Sequence, residues 1–320
     1  TMSGTGRKMA LEAGGAAHEV FSAHRLYCLN EFGSSFYNAN SDEIRGVFLR
    51  TGYHLFGEER LNEMLGAVNT REDYRTRSHQ FSLAALYNSG FYDSPTDRRR
   101  SITNIEEMCL AYMDRFDWRD ELPIIIGDFV GIEIPIDVTI TFGFEGGTSR
   151  VYRYIGRADG LHYSSRAKDQ IRLHENKTSS RLNDAWELSF ETSHQVTGYM
   201  IALAAMLNIE LDQAIILGTA LPMPKTYSLG GLSRVVVNRY SFQLEEWFDW
   251  FLHTADIYEQ YKDDVVHAPK YTISCNRYFS PCMFIPFCAV PPSDRVEMIA
   301  DMGIDEWSPI HDKYGTVQDE

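Results

Sequence analysis

The sequence predicts one α/β domain with a helical insertion after its first helix. Three observations carry that prediction. Apolar residues recur three or four apart through much of the first 120 positions. The pattern changes near Leu122 to short, β-branched or alternating segments punctuated by glycine. A helix, two further strands and a last helix then follow.

Taken in order, residues 18–32, 55–67, 78–89 and 104–116 read as helices. The turn residues Asp93-Ser94-Pro95-Thr96-Asp97 separate the last two. Segments 123–126, 130–142, 150–158 and 169–177 read as strands, and Gly143-Phe144-Glu145-Gly146-Gly147 fits a hairpin connection. A helix is predicted over 193–207, strands over 212–218 and 233–240, and a helix over 242–261. In that last helix Leu244, Trp247, Phe248, Phe251 and Tyr258 form an apolar stripe that reads as core. Residues 1–17, rich in Gly and Ala, are expected to be flexible; the insertion spans about 58–120, and 291–320 is an acidic tail.

Composition narrows the class. With 320 residues and 44% hydrophobic content, the chain can bury a large core. A net charge of −15 is not the footprint of a protein that coats nucleic acid non-specifically, though an enzyme can gather positive charge locally. Arg71, Arg75 and Arg77, and Arg98-Arg99-Arg100, read as solvated loop. No run reaches the roughly 18 apolar residues of a membrane span. No signal-peptide core and no Walker A sequence is found, so a cytoplasmic protein without its own ATP-driven motor is expected.

Chemistry concentrates on two of the strands. Asp159 lies in Gly156-Arg157-Ala158-Asp159-Gly160, and Glu175 precedes Lys177 by two residues. Alternation along a strand sends Glu175 and Lys177 to one face, with Ile171 and Leu173. Two carboxylates, with the carbonyl of Asn176, suit Mg2+ or Mn2+. A lysine beside them can orient a water or steady charge on a phosphate. An acid pair and a lysine alone also describe a surface ion pair. Further residues add weight: His54 as a metal ligand, and Gln195 and Tyr199, four apart on a helix, as phosphate-positioning groups. Five cysteines are present, and Cys275, Cys282 and Cys288 fall within fourteen residues. That clustering points to a bound metal or cluster. Cys109 reads as a core thiol.

Taken together, these residues resemble the RecB-type branch of the PD-(D/E)XK nucleases, which includes CRISPR-associated and phage RecB-like exonucleases and the AddB nuclease domain. The likeness runs in order from about residue 22 to 288, through His54, the strand of Asp159, Glu175-Asn176-Lys177, and Gln195 to Tyr199. Glu133 resembles an acid that often stands on the strand before the family's aspartate. The resemblance implies a restriction-endonuclease-like mixed central sheet flanked by helices over residues 18–290. It implies a metal-dependent DNA exonuclease acting on single strands or DNA ends, with Asp159, Glu175 and Lys177 catalytic and His54, Asp159, Glu175 and Asn176 at the metal. It also implies a 4Fe–4S cluster held by Cys28, Cys275, Cys282 and Cys288, stapling the C-terminal segment 271–290; zinc is the alternative. Leu29 after Cys28, and Asn at 176, depart from the family's usual residues. Helicase or CRISPR-adaptation partners and homo-oligomers are compatible with the resemblance. So is a non-catalytic DNA-end-binding scaffold, and a zinc-bound structural protein remains a third reading.

Overall fold

The computed structural model describes residues 5–93, 98–116, 121–144, 147–164, 167, 170–179, 181–221, 231–270 and 284–300. The first helix, α1 (Thr5–Tyr37), is far longer than its apolar pattern alone suggests. Its alanines are strong helix formers, and Ala13, Ala16, Ala17 and Ala23 are buried with Val20, Phe21, Leu26 and Leu29. Residues expected to be flexible over 1–17 are therefore helical from Thr5 onward.

Helices α2 (Ser41–Phe56) and α3 (Glu58–Gly66) follow. They are separated by Gly57, whose φ of 78° suits glycine and whose N–H closes on the Tyr53 carbonyl. The predicted helix over 55–67 crosses this break. Helix α4 (Tyr74–Tyr87) starts at Asp73, which accepts from the Thr76 N–H, and α5 (Ile102–Arg115) starts at Ser101, which accepts from the Asn104 N–H. A small hairpin, β1 (Ile125–Ile126) and β2 (Phe129–Val130), leads into the main sheet.

That sheet contains β3 (Ile132–Gly143), β4 (Ser149–Tyr163), β5 (Ile171–Ser179), β6 (Gln213–Ala220) and β7 (Leu232–Asn238), side by side in that order. All neighbours are antiparallel except β5 and β6, which run parallel. A parallel pair needs a crossover, and α6 (Asp184–Leu188) with α7 (His194–Leu207) supplies it. Helix α8 (Ser241–Tyr261) follows β7, and the short helices α9 (Ile285–Ala289) and α10 (Pro292–Ala300) come last. Part of the expected acidic tail is thus helical; residues 301–320 lie outside the described residues.

The architecture is a five-stranded mixed sheet flanked by helices. On one face, Ile215 and Leu217 of β6 pack into a core with α1 and α5. On the other, Ala214 and Ile216 pack with Val196, Tyr199, Met200 and Leu203 of α7. A third apolar cluster joins α1 to α2, α3 and α4. The region expected as an insertion is not set apart, because α1 is common to both helical cores and α5 lies directly on the sheet. Of the predicted α8 stripe, Trp247 is buried, with its indole N–H donating to the His194 carbonyl at 2.9 Å; Leu244, Phe248 and Phe251 are half-buried, and Tyr258 is exposed. Among the described residues, no helix is long and apolar enough to cross a membrane.

Candidate metal centre at a fork between two strands

Strands β4 and β5 pair from Tyr163↔Ile171 to Gly160↔His174, and there the ladder stops. Asp159 and Glu175 would be the next partners. Instead their carboxylates occupy the gap. Asp159 Oδ2 accepts the Asn176 N–H at 2.6 Å, and Glu175 Oε1 accepts the Asp159 N–H at 3.3 Å. Beyond this point β4 remains paired with β3, and β5 with β6 through Ser179↔Ala220. The two strands part company, and both acids sit at the parting.

A third acid comes from β3. Glu133 lies between Ile132 and Ile134, which pair with Gly160 and Ala158, so it stands across from Asp159. Its φ of 50° is rare for a residue with a side chain, and such strain collects at functional sites. Glu133 is buried and accepts from the Ser22 hydroxyl at 2.7 Å.

Helix α1 closes the site. His18, Ser22 and Arg25 recur at intervals of four and three, so they line one helix face. His18 Nδ1 lies 3.2 Å from Asp159 Oδ1. The donor atoms of His18, Glu133 and Asp159 all fall within 4.8 Å of one another. Lys177 adds a cation, its Nζ 2.8 Å from Glu175 Oε2.

Electrostatics separate the two acids of the fork. Burial opposes ionisation of Asp159, but His18, Lys177 and Arg25 outweigh it and hold this carboxyl well below the usual range. Burial, with the nearby Asp159 charge, pushes Glu175 up to about 7 despite Lys177. Burial disfavours the charged forms of His18 and Lys177 as well; Asp159 and Glu133 raise the first, Glu175 and Asp159 the second, and both end above their ordinary values. The site holds three buried carboxylates close to cationic groups, an arrangement that a divalent cation would relieve.

The structure brings Asp159, Glu175 and Lys177 together as expected. It does not bring His54 to them: that residue lies exposed in the last turn of α2, and the imidazole beside Asp159 is His18. The difference lies in which helix meets the fork: α2 packs against α1 and α3, while α1 lies against the strands at Asp159. The Asn176 side chain points away from Glu175, toward α1 and α5; its Oδ1 accepts from Arg25 Nη2 at 3.1 Å and from the Tyr112 hydroxyl at 2.9 Å. Only its main-chain carbonyl could serve the ion. Gln195 and Tyr199 share a face of α7 and are bonded to each other, Nε2 to hydroxyl, at 3.3 Å. Tyr199 also lies against β4, where a side chain at Gly156 would meet its ring at 2.6 Å.

The cysteines fare differently. Cys275 and Cys282 lie outside the described residues. Cys288 is partly exposed on α9. Cys28 is fully buried in the α1 core, with the Tyr74 hydroxyl 2.9 Å from its sulfur and His24 nearby. Those surroundings are those of a buried core thiol. Cys109 is buried in the core, and burial raises its thiol above the usual range.

The donor set at the fork does fit a divalent ion. Carboxylate oxygens with one imidazole nitrogen match Mn2+ well and Mg2+ acceptably, whereas thiolate-seeking ions find no sulfur in this group. A scan against protein-family models finds no match to this chain, and a search of the curated proteins finds none.

Proposed function

We propose that this protein is a metal-dependent nuclease with a restriction-endonuclease-like fold, acting on single-stranded DNA or DNA ends. The observation that carries the reading is the convergence of His18, Glu133 and Asp159 within 4.8 Å, beside the Glu175–Lys177 pair. His18, Glu133 and Asp159 would hold the ion, with Glu175 at its edge. A bound Mg2+ or Mn2+ would lower the pKa of a coordinated water and neutralise phosphate charge. Lys177, kept cationic by Glu175 and Asp159, supplies a proton donor for charge that builds on the phosphate. Glu175 fixes the direction of that ammonium. The Gln195 amide and Tyr199 hydroxyl, near Lys177, offer polar groups to the backbone of a bound strand. With a net charge of −15, strand binding must rely on such local groups rather than on overall attraction.

The test is a digestion time course with Mn2+ on end-labelled and circular single-stranded DNA. The parent should cut, and Lys177→Ala should lose about 10²–10⁴-fold in rate while keeping its far-ultraviolet spectrum. Equal rates for the two proteins would reject the assignment. Binding without cutting in the parent would instead make it a DNA-end-binding scaffold.

A further inference from the structure

Where the β4–β5 ladder ends, a side chain from α1 bridges the parted strands, in addition to the Asp159 and Glu175 carboxylates. Arg25 is fully buried. Its Nη1 donates to the Asp159 carbonyl on β4 at 2.8 Å, and its Nη2 donates to Asn176 Oδ1 on β5 at 3.1 Å. The two acceptors flank the acids of the fork: Asp159 itself on one strand, and the neighbour of Glu175 on the other. Tyr112 of α5 gives Asn176 Oδ1 a second donor at 2.9 Å, and its ring is stacked on Phe21 of α1 at 3.9 Å. Neither Arg25 nor Tyr112 is among the groups offered to the ion.

We propose that Arg25 is a positioning residue that sets the spacing of Asp159 and Glu175, and so the affinity of the fork for a divalent cation. The argument is geometric. With no ladder bond between Asp159 and Glu175, main-chain pairing alone leaves the local separation of β4 and β5 undetermined. A planar guanidinium has two nitrogens at a fixed distance and fixed angle, so it gauges the gap in a way a single ammonium cannot. Arg25 also shares a rigid helix face with His18, seven residues and about 10 Å along the same helix. One helix therefore delivers a ligand to the site and the bracket that spaces the other ligands. The burial of the bracket keeps water from competing for its acceptors.

This inference rests on the metal-centre reading, and the experiment separates the two. Mn2+ alone is titrated into the full chain and followed by electron paramagnetic resonance, without nucleic acid. The parent should bind one Mn2+ at the fork, and His18→Ala should weaken it. Arg25→Lys retains the charge but not the fork geometry; folded by circular dichroism, it should bind Mn2+ about 10–100-fold more weakly at unchanged stoichiometry. Tyr112→Phe, which removes one hydroxyl, should weaken binding by a smaller factor. Should Arg25→Lys fail to fold, Asn176→Ser withdraws the shared acceptor and carries the same expectation. A parent that binds no Mn2+ overturns the metal centre. A parent that binds, beside a folded Arg25→Lys or Asn176→Ser that binds equally well, overturns the positioning role alone.

Discussion

Strands β4 and β5 carry two buried sets of ionisable side chains, and the two ends of the pair handle burial in opposite ways. At the ladder end, His162 and His174 are fully enclosed with ring centroids 4.5 Å apart. His162 Nδ1 donates to the Glu121 carbonyl at 2.7 Å, and burial, helped by nearby cations, holds both imidazoles far below their ordinary range. These rings are neutral. At the fork end, opposite charges within reach favour the charged forms of Asp159, Lys177 and His18 against burial. At the ladder end charge sits on Glu121 with Arg172 and Arg234, 3.5 and 2.9 Å away, beside the two rings, whereas the parted strands expose N–H groups that carboxylates satisfy.

The strongest way to break this contrast is Asp159→Ala. It leaves the buried Asn176 N–H without its acceptor and His18 without its counter-charge. A loss of about 3–5 kcal/mol is expected in urea unfolding, together with loss of Mn2+ binding. A change below about 1 kcal/mol would show that the fork is not held by this carboxylate.

Next in size is the acid response of the histidine pair. Unfolded, both rings titrate near 6.5; folded, they resist protonation. The unfolded chain therefore takes up protons first as pH drops. Stability should be full above 6.5 and decline below it by up to about 1.4 kcal/mol per histidine per pH unit. Unfolding curves at pH 7 and 5.5 check this, and coincident midpoints would count against neutral buried rings. The fork should show a smaller, separate dependence. Glu175, pushed up to about 7 chiefly by burial, must give up its proton before it can face a cation. Mn2+ affinity should rise with pH as Glu175 and His18 give up their protons, by at most about tenfold per unit for each. Calorimetry in buffers of different ionisation heat would reveal the released proton; none released would place Glu175 outside the site.

Much of the fold is legible in the sequence, since strand alternation and glycine breaks locate β3 to β7 to within a few residues. The carboxylates and Lys177 are legible too, because period-two geometry puts them on neighbouring faces. The histidine is not. His54 and His18 both lie on helices, and nothing local says which helix meets the sheet at Asp159. A signal was present: His18, Ser22 and Arg25 form a polar stripe on a helix otherwise rich in Ala, Val, Phe and Leu. The stripe falls within the predicted helix 18–32, but a polar stripe on a helix reads by itself as a solvated face, and nothing local says that the sheet covers it. The bend at Glu133 is equally hidden, since a left-handed glutamate leaves no mark in composition.

The length of chain between partners has a consequence for biosynthesis. Arg25 and Asn176 are 151 positions apart. At about 5–20 residues per second, α1 emerges from the ribosome roughly 8–30 s before its acceptor on β5. For that interval a helix with a cationic stripe waits among apolar neighbours with no sheet to receive it. A nascent chain halted before β5 thus already carries His18, Glu133 and Asp159 but lacks Glu175, Lys177 and the second acceptor of Arg25.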